Sequence, residues 1–142
     1  MWCELVESVC SECTFAPPGD EQSLNDIEAA LGVALPPELR ALLLESNGIG
    51  GDCAIMPVER MITVNLELRS FPEHDDLYMP FDNLLCFGSP GNGDMFFFPV
   101  QSNGKVNNPD IFLWNHEDDS RTWIANNLEQ FVTKWYAGQW KL

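Results

Sequence analysis

The chain has 142 residues, 45% hydrophobic and 11% aromatic, which suits one domain with an ordinary core. Asp and Glu number 22 against 7 Lys and Arg, so the net charge is −15. That balance argues against direct binding to nucleic acid or to an anionic membrane surface, both of which need cations, and favours a basic partner reached by long-range attraction.

No apolar run approaches the roughly 20 residues of a membrane span. The opening Met1, Trp2, Cys3, Glu4 and Leu5 show neither the basic region nor the apolar core of an export signal, which points to the cytoplasm. Five cysteines, an odd number, in such a chain predict reduced thiols.

Residues 2–13 read as an amphipathic helix. Trp2, Leu5, Val6, Val9, Cys10 and Cys13 share one face; Glu4, Glu7, Ser8, Ser11 and Glu12 occupy the other. Phe15 to Gly19, with Pro17 and Pro18, break it. A second helix over 23–31 starts at Ser23, with Asp26 three residues on, and ends at Gly32. A third opens around Pro37, a first-turn position where the missing N–H costs nothing, and stops at Asn47-Gly48. It turns Leu39, Leu42 and Leu43 inward.

Residues 53–56 read as a short strand. Residues 57–69 fit two patterns. Ile62, Val64, Leu66 and Leu68 alternate as in a strand, whereas Pro57 followed by Glu59 is a helix start, towards which the reading leans. Residues 71–82 form a polar loop, acidic at Glu73, Asp75, Asp76 and Asp82. Strands over 84–87 and 95–100 flank Gly88–Asp94, which contains three Gly and one Pro, and make a central β-hairpin. Phe96, Phe97 and Phe98 are consecutive, so their rings point to both faces of the sheet, and both faces must be covered. A turn follows, then a strand over 111–115, the acidic turn His116, Glu117, Asp118, Asp119 and Ser120, and an edge strand over 121–124. The last helix is capped near Asn126, buries Leu128, Phe131, Val132 and Trp135, and ends at Gly138.

Reactive chemistry is scarce. Cys10 and Cys13 form a CxxC, but four thiolate ligands are lacking, and both fit the buried face of the first helix. Gly88 to Gly93 resembles a phosphate loop only in its glycines. Asp94 stands where Lys and Ser or Thr belong, and a strand rather than a helix follows. Ser89 lacks the G-x-S-x-G context of a hydrolase nucleophile. His116 with its three acids lacks the spacing of an EF-hand or an H-E-x-x-H helix, and His74 has no Ser or Cys beside it. No catalytic residue, metal or cofactor is therefore expected. The remaining feature is carboxylates in loops, where binding residues concentrate: Glu73, Asp75, Asp76, Asp82, Glu117, Asp118 and Asp119. Their mutual repulsion would be relieved by a cationic partner; ordinary surface acidity is the competing account.

Four stretches resemble the SUKH superfamily, which holds bacterial toxin-immunity proteins and fungal cell-wall-synthesis regulators. They are Ile27 to Leu39 with Leu31-Gly32, Leu35-Pro36 and then Asn47-Gly48; Leu85 to Gly88 with Gly93-Asp94; Ile111 to Glu117; and Leu128 to Phe131. The resemblance covers residues 23–136 of a single domain spanning 1–142, with 1–19 outside it. It implies an α+β fold, an antiparallel sheet flanked by N- and C-terminal helices, and no catalysis. It also implies a protein partner, for immunity members a toxin domain. If that toxin is a nuclease, its basic substrate groove would match this acidic surface. A general interaction scaffold of the fungal type is the alternative.

Overall fold

The computed structural model of the chain describes residues 1–50, 54–70 and 79–139. Three helices come first: α1 (Trp2–Val9), α2 (Glu21–Leu31) and α3 (Pro37–Glu45). Next come β1 (Ala54–Ile55), α4 (Val58–Ser70), β2 (Leu84–Ser89), β3 (Met95–Pro99), β4 (Ile111–Trp114), β5 (Arg121–Ala125) and α5 (Leu128–Tyr136). The strands form one antiparallel sheet in chain order, which is the α+β architecture expected.

Helix ends follow their caps. α2 starts before Ser23 because Asp20 is the cap; its Oδ1 accepts from Ser23 N at 2.7 Å. Gly32 closes the helix at φ 65°, as predicted. α5 is capped by Asn127 rather than Asn126. Asn127 Oδ1 accepts from Gln130 N at 2.8 Å, and Gln130 Oε1 accepts from Asn126 N at 2.6 Å, a reciprocal pair.

Two expectations for the N-terminus are corrected. α1 ends at Val9, not at residue 13, because the backbone turns extended at Cys10. Cys10 and Cys13 are joined in a disulfide, with Cα atoms 5.8 Å apart, so these two thiols are not free. The three-residue spacing that would place both on one helical face also lets the sulfurs meet once the chain leaves the helix. Cys3 and Cys86 are free thiols; Cys53 lies outside the described residues.

α4 decides between the two readings of 57–69 in favour of helix. Val58, Met61, Val64 and Asn65 are its buried side, at helical spacing, while Leu66 is exposed. The helix lies along the open part of β2. β1 pairs only with Gly88 and Ser89, so the rest of that edge needs other partners. Asn65 supplies them: Cys86 N donates to its Oδ1 at 2.9 Å, and its Nδ2 donates to Cys86 O at 2.8 Å. One turn on, Arg69 Nη2 donates to Leu84 O at 3.2 Å.

The three phenylalanines are covered as expected. Phe96 and Phe98 pack with Phe87, and Phe131 of α5 meets Phe96 edge-on at 4.7 Å. Phe97 points the other way, stacks on Phe112 at 5.6 Å and is 3% exposed. Gly88 is required by the short β1 strand, because a Cβ there would stand 2.1 Å from Ala54 O.

Candidate functional site

The acidic turn between β4 and β5 is held by a framework of its own. Asp119 sits at φ 59°, in the left-handed region that Asp tolerates better than most residues. Its Oδ1 accepts from Trp114 Nε1 at 2.8 Å and from Arg121 Nη2 at 3.1 Å. Its Oδ2 accepts from Met79 N at 2.9 Å. Arg121 also donates to Met79 O at 2.9 Å and to Pro80 O at 3.2 Å, and lies over the Phe81 ring at 5.3 Å. Phe81 in turn meets Trp114 edge-on at 5.2 Å. The segment from Met79 to Phe81 is thereby strapped to the turn. Burial alone would raise the Asp119 carboxyl, but hydrogen bonds from Met79, Trp114 and Arg121 outweigh it and hold the group below the usual carboxylate range.

The other side of the turn is fixed to the β2–β3 hairpin. Asp94, 5% exposed, accepts at Oδ1 from His116 N at 3.1 Å and contacts His116 Nδ1 at 2.6 Å. Gly93, at φ 97°, lies so close under the imidazole that a Cβ would stand 3.1 Å from Nδ1. Asp94 and His116 are therefore framework too, a pairing that their sequence separation hides.

The residues expected to bind a partner thus divide. Glu117 and Asp118 are exposed at the tip of the turn. Asp118 Oδ1 accepts from Ser120 N, which lowers its carboxyl pKa. Asp82 is exposed at the far end of the strap, on a cavity of about 290 Å³ shared with Gly32, Val33 and Gly104. Asp119 is committed inward. Glu73, Asp75 and Asp76 lie outside the described residues. Cations are also turned inward: Arg40 pairs with Glu21 at 3.1 Å, Arg69 donates to Leu31 O and Leu84 O, and Arg121 holds the strap. Of the 7 Lys and Arg, these three add little positive charge to the outer surface.

Sequence reasoning gave Trp123 no role. It is 46% exposed on β5, opposite Phe112, and an aromatic residue in a predicted edge strand was the available signal. Among the described residues, no group of three or more His, Cys, Asp or Glu side chains is placed to hold a metal ion. Nor is any described helix long and apolar enough to cross a membrane.

A family model described as SMI1-KNR4 cell-wall (SUKH_6) matches residues 21–132. The chain belongs to the SUKH superfamily. A search of curated proteins finds no match. The SUKH match takes in α2 through most of α5 and leaves out α1 with the Cys10–Cys13 disulfide. It includes the Asp94–His116 contact, the Asp119 framework and both exposed turn acids. Membership of this superfamily suggests a protein–protein interaction role.

Proposed function

We propose that the chain is a non-catalytic immunity protein that binds a toxin domain in the cytoplasm and blocks it. Membership of the SUKH superfamily carries this reading. The net charge of −15 supports a basic partner, and a nuclease presents such a surface in its substrate groove. Glu117 and Asp118 contact the partner directly, joined by Asp82, Glu73, Asp75 and Asp76. Asp119 acts by holding the turn that carries the first two. A braced turn loses little conformational freedom on docking, so more of the interaction energy appears as affinity.

The reading predicts that a toxin domain is encoded beside this chain, and the test is inhibition of that domain. Its activity should fall to background as the chain approaches one equivalent. Full activity at several-fold excess would refute the reading. The second reading, an interaction scaffold, is favoured by the cell-wall description of the matching model. It predicts no effect on such a toxin and a cell-wall defect when the gene is deleted.

A further inference from the structure

The two edges of the sheet are treated differently. On the β1 side, Ile49 N donates to Ile55 O at 3.0 Å and Met56 N to Phe87 O at 2.9 Å, Asn65 pairs with Cys86, Arg69 donates to Leu84 O, and Leu84 N donates to Phe81 O. On the β5 side nothing comparable exists among the described residues. Asn115 N donates to Ser120 O at 2.9 Å, and the register then runs Trp114–Arg121, Leu113–Thr122 and Phe112–Trp123. In an antiparallel ladder alternate pairs are hydrogen-bonded. Thr122 therefore faces β4, and the main-chain N–H and C=O groups of Arg121 and Trp123 face outward. None of these four groups has a hydrogen-bond partner among the described residues.

Edge strands are usually guarded by an exposed Lys, a Pro, a bulge or a covering element; β5 has a bulge, but it falls at Ile124, beyond the two outward-facing residues. β5 has no Lys or Pro, and its one charged residue, Arg121, bends inward over Phe81. Trp123 instead stands exposed on the strand. Its cross-strand partner Phe112 lines a cavity of about 170 Å³ together with Leu84, Phe97 and Pro99. Glu117 and Asp118 sit at the turn that leads into the strand.

We propose that β5 is the docking edge for the partner. It receives an extended segment of the basic toxin domain as a sixth strand of the sheet. Main-chain groups of that segment pair with Arg121 and Trp123, an apolar side chain packs on Trp123 above the Phe112 cavity, and a Lys or Arg reaches Glu117 and Asp118. This rests on the immunity reading for the identity of the partner. The occupant is a basic segment rather than a second copy of the chain, since two copies each carrying −15 repel.

The test uses the toxin domain that the immunity reading expects beside the chain, and complex formation is recorded first. Amide exchange is then followed at residues 121 and 123, with and without the toxin domain. Trp123→Ala and Trp123→Pro are compared for affinity. Proline is tolerated at an edge position whose N–H faces out, so it removes one donor while sparing the ladder; circular dichroism checks that the fold survives. Strand addition predicts fast exchange at both amides in the free chain and strong protection in the complex. Trp123→Ala should weaken binding at least about tenfold. Trp123→Pro should weaken it by about threefold to tenfold more. A complex without protection at either amide would overturn the proposal and leave the immunity reading standing. No complex at all would overturn both. A dimer of the free chain that protects the same amides would assign the edge to a second copy and overturn the proposed occupant.

Discussion

Asn65 takes the place of a strand beside Cys86. Its side-chain amide accepts from Cys86 N at 2.9 Å and donates to Cys86 O at 2.8 Å, the two bonds a neighbouring strand would make. Asn65 is 2% exposed and also donates to Met61 O at 2.7 Å, so the residue is locked to its own helix. Replacing it with Leu leaves two buried main-chain groups unpaired, each at about 1–3 kcal/mol. Chemical denaturation of Asn65→Leu should show a loss of at least about 2 kcal/mol. A loss well under that would mean that the β2 edge finds other partners.

The Asp119 carboxyl gives a pH signature. Its pKa in the fold lies below its ordinary value, so its contribution to stability is present above that value and is lost as pH falls through the lower folded value. Between pH 5 and strongly acid solution, roughly, the wild type should lose stability more steeply than Asp119→Asn. At pH 7 the variant should be the less stable of the two. Parallel curves across the acid range would show that the carboxylate is not held as described.

α1 lies outside the family match, and Glu45 of α3 fastens it. Glu45 Oε2 accepts from Trp2 N at 3.0 Å, and Oε1 accepts from Cys3 N at 3.2 Å and Met1 N at 3.0 Å. These are N-terminal helix groups that no side chain of α1 itself satisfies. Glu45→Ala should cost about 0.5–2 kcal/mol, as loss of a helix cap does. The amides of α1 should exchange faster while those of β3 are unchanged. Equal acceleration everywhere would indicate global destabilisation instead.

The cysteines differ sharply in reactivity. Burial pushes the Cys86 thiol up to about 12, and burial followed by the Glu45 charge raises Cys3. Alkylation of the folded chain without reductant should spare Cys86, Cys10 and Cys13. Under denaturing conditions without reductant it should label Cys3 and Cys86, with Cys10 and Cys13 labelled only after reduction. Peptide mapping reads this directly. Labelling of Cys10 and Cys13 in the unreduced chain would contradict the disulfide.

Much of the fold was legible because local pattern and tertiary need agree. Gly32, Pro37 and the Phe96–Phe98 run each point to one structure. What was hidden has a common cause, namely partners far apart in the chain. Asp119 reads as one acid among three, and only Trp114, Arg121 and Met79 make it a brace. Asp94 reads as a hairpin residue until His116, 22 positions away, is laid beside it. The alternation at 62–68 suits a strand, yet the deciding residue is Asn65, whose role exists only next to Cys86. Cys10 and Cys13 fit a helical face as well as they fit a disulfide, and periodicity alone cannot separate the two. The division of the acidic cluster into exposed Glu117 and Asp118 and inward Asp119 was likewise invisible, since all three have the same charge.

The most direct test of the central claim is the association rate between the chain and the toxin domain that the proposed function expects beside it, measured across a salt series. The comparison is of the wild type with Glu117→Gln/Asp118→Asn, with Glu73→Gln/Asp75→Asn/Asp76→Asn, and with Glu4→Gln/Glu7→Gln on α1. An acidic surface steering onto a basic partner predicts that the first two variants associate more slowly and depend less on salt, while the α1 variant matches the wild type. Where a carboxylate pairs with a desolvated Lys or Arg, its variant should also dissociate faster, by about 2–5 kcal/mol per broken pair. Unchanged kinetics in the first two variants, with slower association in the α1 variant, would contradict the account and move the interface to the N-terminal helix.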